Sequence, residues 1–131
     1  MTTANTDYER LAKDVEGVLR LAGFDSHSAE TLAELPGFEV DIDDDGVLVN
    51  WRTEQGLRDA ALAVHLVGDS QDPNRRIYEV TVREMCDLAI RILVSAGFHA
   101  APEGGYAPFH VRVTEGSANE LTRALFNEGL S

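Results

Sequence analysis

The sequence contains a single cysteine and no long apolar run, and each scarcity excludes a class of protein. Because Cys86 is the only cysteine in the sequence, no disulfide can form within the chain, which fits a reducing compartment. No apolar stretch approaches the roughly 20 residues that a membrane-spanning helix needs. The N-terminal residues also lack the features of a signal peptide. We therefore expect a cytoplasmic protein that has no membrane partner.

Basic residues are also scarce, and their scarcity limits the partners. The chain carries 23 acidic residues against 11 basic ones, which gives a formal net charge of −12 at pH 7. Nucleic acids are polyanions that repel such a charge, so no nucleic-acid partner is expected. Lys13 is the only lysine, and this preference for arginine is typical of proteins from GC-rich bacterial genomes.

A long gap in the basic residues lies between Arg20 and Arg52. The acidic residues within that gap are Asp25, Glu30, Glu34, Glu39, Asp41, Asp43, Asp44 and Asp45. A region of this kind is either a solvated acidic face or a docking surface for a basic protein partner. Both interpretations remain open from the sequence.

The remaining composition predicts one folded α+β domain over residues 1–131. Apolar residues make up 44% of the chain, too many for a disordered protein and enough for a single core. Three segments begin with an S/T-x-x-E capping box and end at a glycine that is flanked by apolar residues. These signals predict helices over about 7–22, 82–96 and 118–128.

Residues 41–46 read D-I-D-D-D-G and match the first half of an EF-hand calcium loop. In that interpretation Asp41, Asp43 and Asp45 would be the metal ligands. Position twelve of such a loop should be a bidentate glutamate, but this position is Arg52. Pro36 also interrupts the helix that should precede the loop. The EF-hand interpretation fails on both points, although a weaker cation site of another kind stays open.

A β-hairpin explains the same segment better. Apolar and polar residues alternate over about 38–43 and 47–52, and Asp45-Gly46 is a strong turn signal between them. In the expected register Val40 pairs with Trp51, Ile42 with Val49 and Glu39 with Arg52. The hairpin then carries the candidate protein-binding residues Glu39, Asp41, Asp43, Asp44 and Asp45.

The second half of the chain is harder to assign. An apolar run that ends at Gly68 favours a third strand over about 60–67, although residues 57–64 also fit one face of a helix. Residues 68–76 and 99–108 are predicted loops, and residues 109–113 alternate as a strand. The predicted fold class is α+β, with an antiparallel sheet around the central hairpin and the element order α-β-β-(β)-α-β-α.

No motif in the chain points to a catalytic or cofactor site, and no cofactor is expected. The four histidines show no metal-ligand spacing, and no phosphate loop or serine-nucleophile motif is present. Cys86 lies on the apolar side of its predicted helix, where a structural role is favoured over a nucleophilic one. An enzyme would need residues that converge only in three dimensions, for example His99 or His110 beside a carboxylate.

In length, acidity and element order the chain resembles the type III secretion chaperone-like architecture. That is a small α+β fold which usually dimerises through its middle helix. The resemblance covers most of the chain, rests on no motif and implies a non-enzymatic, protein-binding role. A homodimer would here use the wide apolar face of the middle helix, with Met85, Ala89 and Ile92.

The leading functional hypothesis is therefore a small, acidic protein-binding or chaperone-like regulatory module without catalytic activity. Two alternatives from other classes stay open. One is a regulator that binds a divalent cation through Asp41, Asp43 and Asp45, and the other is a small enzyme whose site is not visible in the sequence.

Overall fold

The computed structural model describes residues 3–28, 35–67, 71–104 and 110–116, together with residues 122, 124 and 125. In these residues the chain forms α1 (Thr3–Leu21), β1 (Ser26–Ser28), β2 (Gly37–Asp43), β3 (Gly46–Arg52), α2 (Gln55–Val67), α3 (Pro73–Ser95), β4 (Phe98–Pro102) and β5 (Val111–Gly116). The α+β class and the central β2–β3 hairpin are confirmed. None of the described helices is both long and apolar enough to cross a membrane.

The strands form a five-stranded sheet with the order β1-β2-β3-β5-β4. Strands β2, β3, β5 and β4 are antiparallel neighbours, as expected, but β1 pairs with β2 in parallel. The sheet is therefore mixed. Strand β1 was not predicted, because its three residues, Ser26–Ser28, have no apolar alternation.

Helices α1 and α3 pack on the same face of the sheet, and the core lies between these layers. Their inward stripes have the helical spacing that was expected from the sequence. Helix α2 packs against α3. The buried core side chains include Leu11, Val15 and Leu19 of α1, Val82, Cys86, Ala89 and Leu93 of α3, and Phe38, Val40, Val47, Val49, Phe98, Val111 and Val113 of the sheet.

The hairpin register differs from the expected one by two residues. Val40 pairs with Val49, and Ile42 pairs with Val47. Phe38 pairs with Trp51, and their ring centroids lie 4.9 Å apart in an edge-to-face contact. Because side chains alternate with a period of two, a two-residue shift leaves the same side chains facing the core.

The cause of the shift is the turn, which is Asp44-Asp45 rather than Asp45-Gly46. The Asp43 carboxylate accepts a hydrogen bond from the Asp45 backbone N–H at 2.9 Å, so an Asx turn starts one residue early. Gly46 then begins β3 with a φ of +134°. A Cβ atom at Gly46 would lie 2.7 Å from the Val113 carbonyl oxygen, so both the backbone angle and the neighbouring strand require glycine.

The predicted third strand at 60–67 is wrong, because these residues belong to α2. The helical alternative fits the burial of its side chains. Ala61 is buried, and Leu57 and Val64 are half-buried at a spacing of three to four residues. A short apolar run cannot be distinguished from a buried helix segment by periodicity alone.

Helix α3 begins at Pro73, about nine residues before the predicted start. Its N-cap is Asp72, whose carboxylate accepts a hydrogen bond from the Asn74 N–H at 2.9 Å. Proline at the first helical position supports this start because its fixed φ suits a helix. The capping box at Thr81 therefore lies inside the helix. At the other end Gly97 has a φ of +107°, which confirms the predicted glycine stop.

Near the C-terminus the strand bounds differ from the predicted ones, and most of the predicted last helix lies outside the described residues. Strand β4 occupies the start of the predicted 99–108 loop, and β5 begins at Val111 instead of residue 109. The predicted helix at 118–128 lies outside the described residues, apart from Thr122, Ala124 and Leu125, which are helical.

Candidate functional site

The acidic residues of the hairpin lie at the end of β2 and in the turn that follows. The four aspartates are exposed, whereas Glu39 is partly buried. These aspartates are Asp41, Asp43, Asp44 and Asp45. Glu39 and Arg52 form the predicted ion pair, although the strand register places them diagonally and not directly opposite each other. The five predicted binding residues therefore differ in what they contact.

Asp43 is held by Arg112 on the sheet face that lies opposite the helices. The two guanidinium nitrogens donate to the two carboxylate oxygens at 2.6 and 2.9 Å. The Nε atom of Arg112 donates to Glu103 at 3.0 Å, so one cation lies between two carboxylates. The hydrogen bonds from Arg112 hold the pKa of Asp43 below its ordinary value of 3.8. Asp43 is thus already paired within the chain.

The structure does not assemble the predicted cation site. Among the described residues, which include the whole hairpin, no group of three His, Cys, Asp or Glu side chains is arranged to hold a metal. Asp43 contacts Arg112 instead, and a fixed cation there competes with a bound metal ion. The Asp41 carboxylate accepts a hydrogen bond from the Ile42 N–H at 2.8 Å.

A cleft of about 300 Å³ lies between α1 and the end of β2. Its lining residues are Glu9, Ala12, Lys13 and Glu16 of α1, Ser28 of β1, and Val40, Asp41 and Ile42 of β2. Three carboxylates and one ammonium group therefore surround an apolar floor. Burial raises the pKa of Glu16 above 4.5, while Arg20 acts in the opposite direction. No sequence pattern indicated this site, because Glu9 and Asp41 are brought together only by the fold.

The cleft lies beside the end of β2. Over the residues that the structure describes, β1 pairs with Phe38–Val40 of β2, and β2 continues to Asp43. The Phe38 N–H donates to the Asp25 carbonyl at 2.9 Å, so alternation directs the Ile42 N–H toward the same edge. There the Ile42 N–H donates to the carboxylate of Asp41 at 2.8 Å. In the described part of the chain no strand pairs with this edge beyond Val40.

The titratable groups outside the hairpin do not form an evident catalytic set. His99 contacts Glu115 at 3.4 Å and is exposed. His110 is half-buried, and its Nδ1 atom has no hydrogen-bond partner among the described residues. Burial lowers the pKa of His110, and nearby Glu103 opposes that effect. Cys86 is buried in the core, where desolvation raises the pKa of its thiol and makes it a poor nucleophile.

The residues that were predicted for a dimer contact the core of their own chain. Ala89 is fully buried, and Met85 and Ile92 are partly buried against the core. The exposed apolar residues of α3 include Ile77 and Val80, which are 52% and 55% exposed. They line a groove of about 410 Å³ with Pro73, Arg76 and Thr81. Because the helix was predicted to start near residue 82, Ile77 and Val80 were not expected on its surface. The dimer itself stays a prediction.

No protein-family model matches this chain, and neither a curated protein nor a solved structure gives a significant match. There is thus no relative from which site residues could be transferred. Function must follow from the chemistry of the surfaces described above.

Proposed function

We propose that this chain is a small, acidic, non-catalytic module that binds a basic segment of a protein partner. The observation that supports this proposal best is the α1–β2 cleft, which combines an apolar floor with carboxylates at its rim. Lysine and arginine side chains match both features, because their aliphatic stems cover apolar surface while the charged end reaches outward. The partly exposed Ile42 would contact such stems, and Glu16 and Asp41 would pair with the charged ends.

The distribution of ion pairs indicates which acidic residues serve this purpose. Glu39 is paired with Arg52, and Asp43 is paired with Arg112. Breaking either pair to bind a partner would leave a cation without its carboxylate, which costs free energy. Among the described residues, the donor to the Asp41 carboxylate is the Ile42 N–H, and Asp41 lies at the cleft. Of the five acidic residues predicted from the hairpin, we therefore retain Asp41 for partner binding. Glu9 and Glu16 of α1 join it as proposed binding residues.

The test is fluorescence anisotropy with a labelled short peptide in which lysine alternates with valine. We expect it to bind, and its affinity to fall as the salt concentration rises, because exposed charge pairs are screened. A matched peptide with glutamate in place of lysine should not bind. Removing two charges from the cleft by Glu16→Gln and Asp41→Asn should weaken binding by about tenfold.

The matched control removes two charges from the exposed face of α3 by Glu84→Gln and Asp87→Asn. This variant has the same net charge as the cleft variant but leaves the cleft intact. Equal weakening in both variants would mean that the peptide follows net charge alone. That result, or no binding by any basic peptide, would overturn the proposed function.

A cytoplasmic location and a homodimer are further parts of this proposal. Cys86 is buried and is the single cysteine of the sequence, which is compatible with a reducing compartment. For the dimer, the exposed Ile77 and Val80 offer apolar surface that a second copy would cover. Light scattering should then give twice the chain mass, and Ile77→Asp with Val80→Asp should give the monomer mass. A monomer in the unmodified protein would remove the dimer from the proposal.

A further inference from the structure

We infer that Lys13 acts as an internal cation of the α1–β2 cleft and sets how much positive charge a partner segment must carry. This inference rests on the proposed function and specifies how binding at the same cleft is regulated. Lys13 is the only lysine among the 11 basic residues of the chain. Its side chain lines the cleft into which the proposed function places a lysine or arginine of the partner.

The helical spacing of α1 places Lys13 between two acidic residues of the cleft. Glu9 precedes it by four residues and Glu16 follows it by three, so the three side chains occupy neighbouring positions on one helix face. Asp41 of β2 lines the same cleft. Burial raises the pKa of Glu16, and the positive charge of Lys13 is one of those that oppose this rise. The charge of Lys13 therefore acts on a carboxylate that the partner would bind.

These four side chains determine the charge of the cleft. Three carboxylates and one ammonium group give a formal charge of −2, and the same cleft without Lys13 would carry −3. An entering cation is attracted by the carboxylates and repelled by Lys13. The cleft measures only about 300 Å³, so salt with a Debye length of about 10 Å at 0.1 M reduces this repulsion but does not remove it.

Lys13 can give up its position more easily than the arginines that face the acidic residues of the hairpin. Arg52 and Arg112 are each paired with a carboxylate, Glu39 and Asp43 respectively. Lys13 is exposed, and its ammonium group is a strongly hydrated point charge on a flexible stem. The stem can turn the charge outward into solvent. A partner that carries several basic residues can therefore displace Lys13 and pair with the carboxylates.

A partner with a single basic residue gains much less from the same cleft. Such a segment only replaces the charge of Lys13 with another single charge, so the charge pairing does not improve. A repulsive element of this kind contributes to specificity alongside the attractive contacts. Lys13 is thus a specificity-determining residue that excludes weakly basic segments.

The experiment measures fluorescence anisotropy with two labelled peptides. One is the alternating lysine–valine peptide, and the other keeps one lysine and has glutamine at the remaining lysine positions. The test variant is Lys13→Met, which removes the charge and keeps an unbranched stem. We expect it to bind the lysine-rich peptide about fivefold more tightly than the unmodified protein does. It should also bind the single-lysine peptide, which the unmodified protein should not bind measurably.

Two control variants separate the position of the charge from the net charge. Lys13→Arg keeps the charge and should bind both peptides like the unmodified protein. Arg10→Met removes a charge from an exposed position of α1 that does not line the cleft. It lowers the net charge by one, from −12 to −13, as Lys13→Met does. It should leave both affinities unchanged.

A carboxyl NMR titration of Glu16 provides a readout that needs no peptide. The pKa of Glu16 should be higher in Lys13→Met than in the unmodified protein, because one opposing charge is gone. An unchanged pKa would overturn the inference, since the charge of Lys13 would not reach the cleft.

The peptide measurements distinguish this inference from the proposed function. Equal affinities of Lys13→Met and the unmodified protein for both peptides would overturn the role of Lys13 and leave the proposed function intact. An equal gain in Arg10→Met would overturn that role as well, because net charge would explain both variants. Failure of every form to bind the lysine-rich peptide would instead reject the proposed function.

Discussion

Arg112 on β5 donates two hydrogen bonds to the carboxylate of Asp43, which lies 69 residues earlier at the end of β2. The contact reaches across β3, the strand between them in the sheet. Arg112 also contacts Glu103, just beyond the end of β4. This one side chain therefore links the tip of the hairpin to the far half of the sheet.

The Arg112–Asp43 pair should make stability depend on pH in the acid range. The pKa of Asp43 is lower in the folded chain than its ordinary value of 3.8. The stabilisation is therefore present at neutral pH and is lost as the pH falls below about 4 through the folded pKa. Because the Asp43 side chain is 42% exposed, we expect Asp43→Asn to cost only about 0.5–1 kcal/mol at pH 7.

Urea unfolding of the unmodified protein and Asp43→Asn at several pH values measures this effect. The difference between the two should shrink as the pH falls. A difference that is the same at pH 7 and in acid would show that Asp43 contributes nothing through its charge.

His110 should add a pH dependence of its own near and below pH 6.5. Its folded pKa lies below the ordinary value of 6.5, so the unfolded state binds more protons in this range. Stability should consequently rise with pH as His110 loses its proton in the unfolded chain. The slope of unfolding free energy against pH should decrease in His110→Asn. An unchanged slope would contradict burial as the cause.

Gly46→Ala should destabilise the protein by about 1–3 kcal/mol. The substitution would place a Cβ atom 2.7 Å from the Val113 carbonyl oxygen and would force a side chain into a φ of +134°. Gly104→Ala is the matched control, because no atom of the described residues lies within 4 Å of its Cβ position. Thermal unfolding should give a lower melting temperature for Gly46→Ala than for Gly104→Ala. Equal melting temperatures would mean that β3 and β5 do not approach so closely.

The start of α3 can be tested by two single substitutions. Asp72→Ala should cost about 1 kcal/mol because it removes the N-cap acceptor for the Asn74 N–H. Thr81→Ala should have little effect, since Thr81 lies within the helix and not at its end. Denaturant unfolding measures both effects. If Thr81→Ala destabilised the protein more than Asp72→Ala, the helix would begin near residue 82, as the sequence predicts.

The hairpin shows which features of the fold the sequence could predict. Alternation identified the residues of β2 and β3 that face the core, because side-chain direction has a period of two. The register required the turn, and the turn depended on a hydrogen bond between Asp43 and Asp45. The Asp45-Gly46 pair predicted a turn one residue later, but the hydrogen bond from the Asp45 N–H to Asp43 placed the turn at Asp44-Asp45.

The candidate site was predicted less well than the fold. Asp41 was identified from its charge, but no sequence pattern marked Glu9 or Glu16 as site residues. Their position beside β2 depends on how α1 lies across the sheet, which no local pattern encodes. Similarly, Ile77 and Val80 became visible as a surface only when α3 proved to begin at Pro73.

The contacts of Arg112 have a consequence for the thermodynamics of binding. The hairpin is fixed by β5 and Arg112 on one side and by α1 and β1 on the other. The β2 wall of the α1–β2 cleft is therefore preorganised, and the conformational entropy lost on association falls mainly on the partner. A partner segment that is already extended, for instance within a cyclic peptide, should bind more tightly than the same residues in a flexible tail.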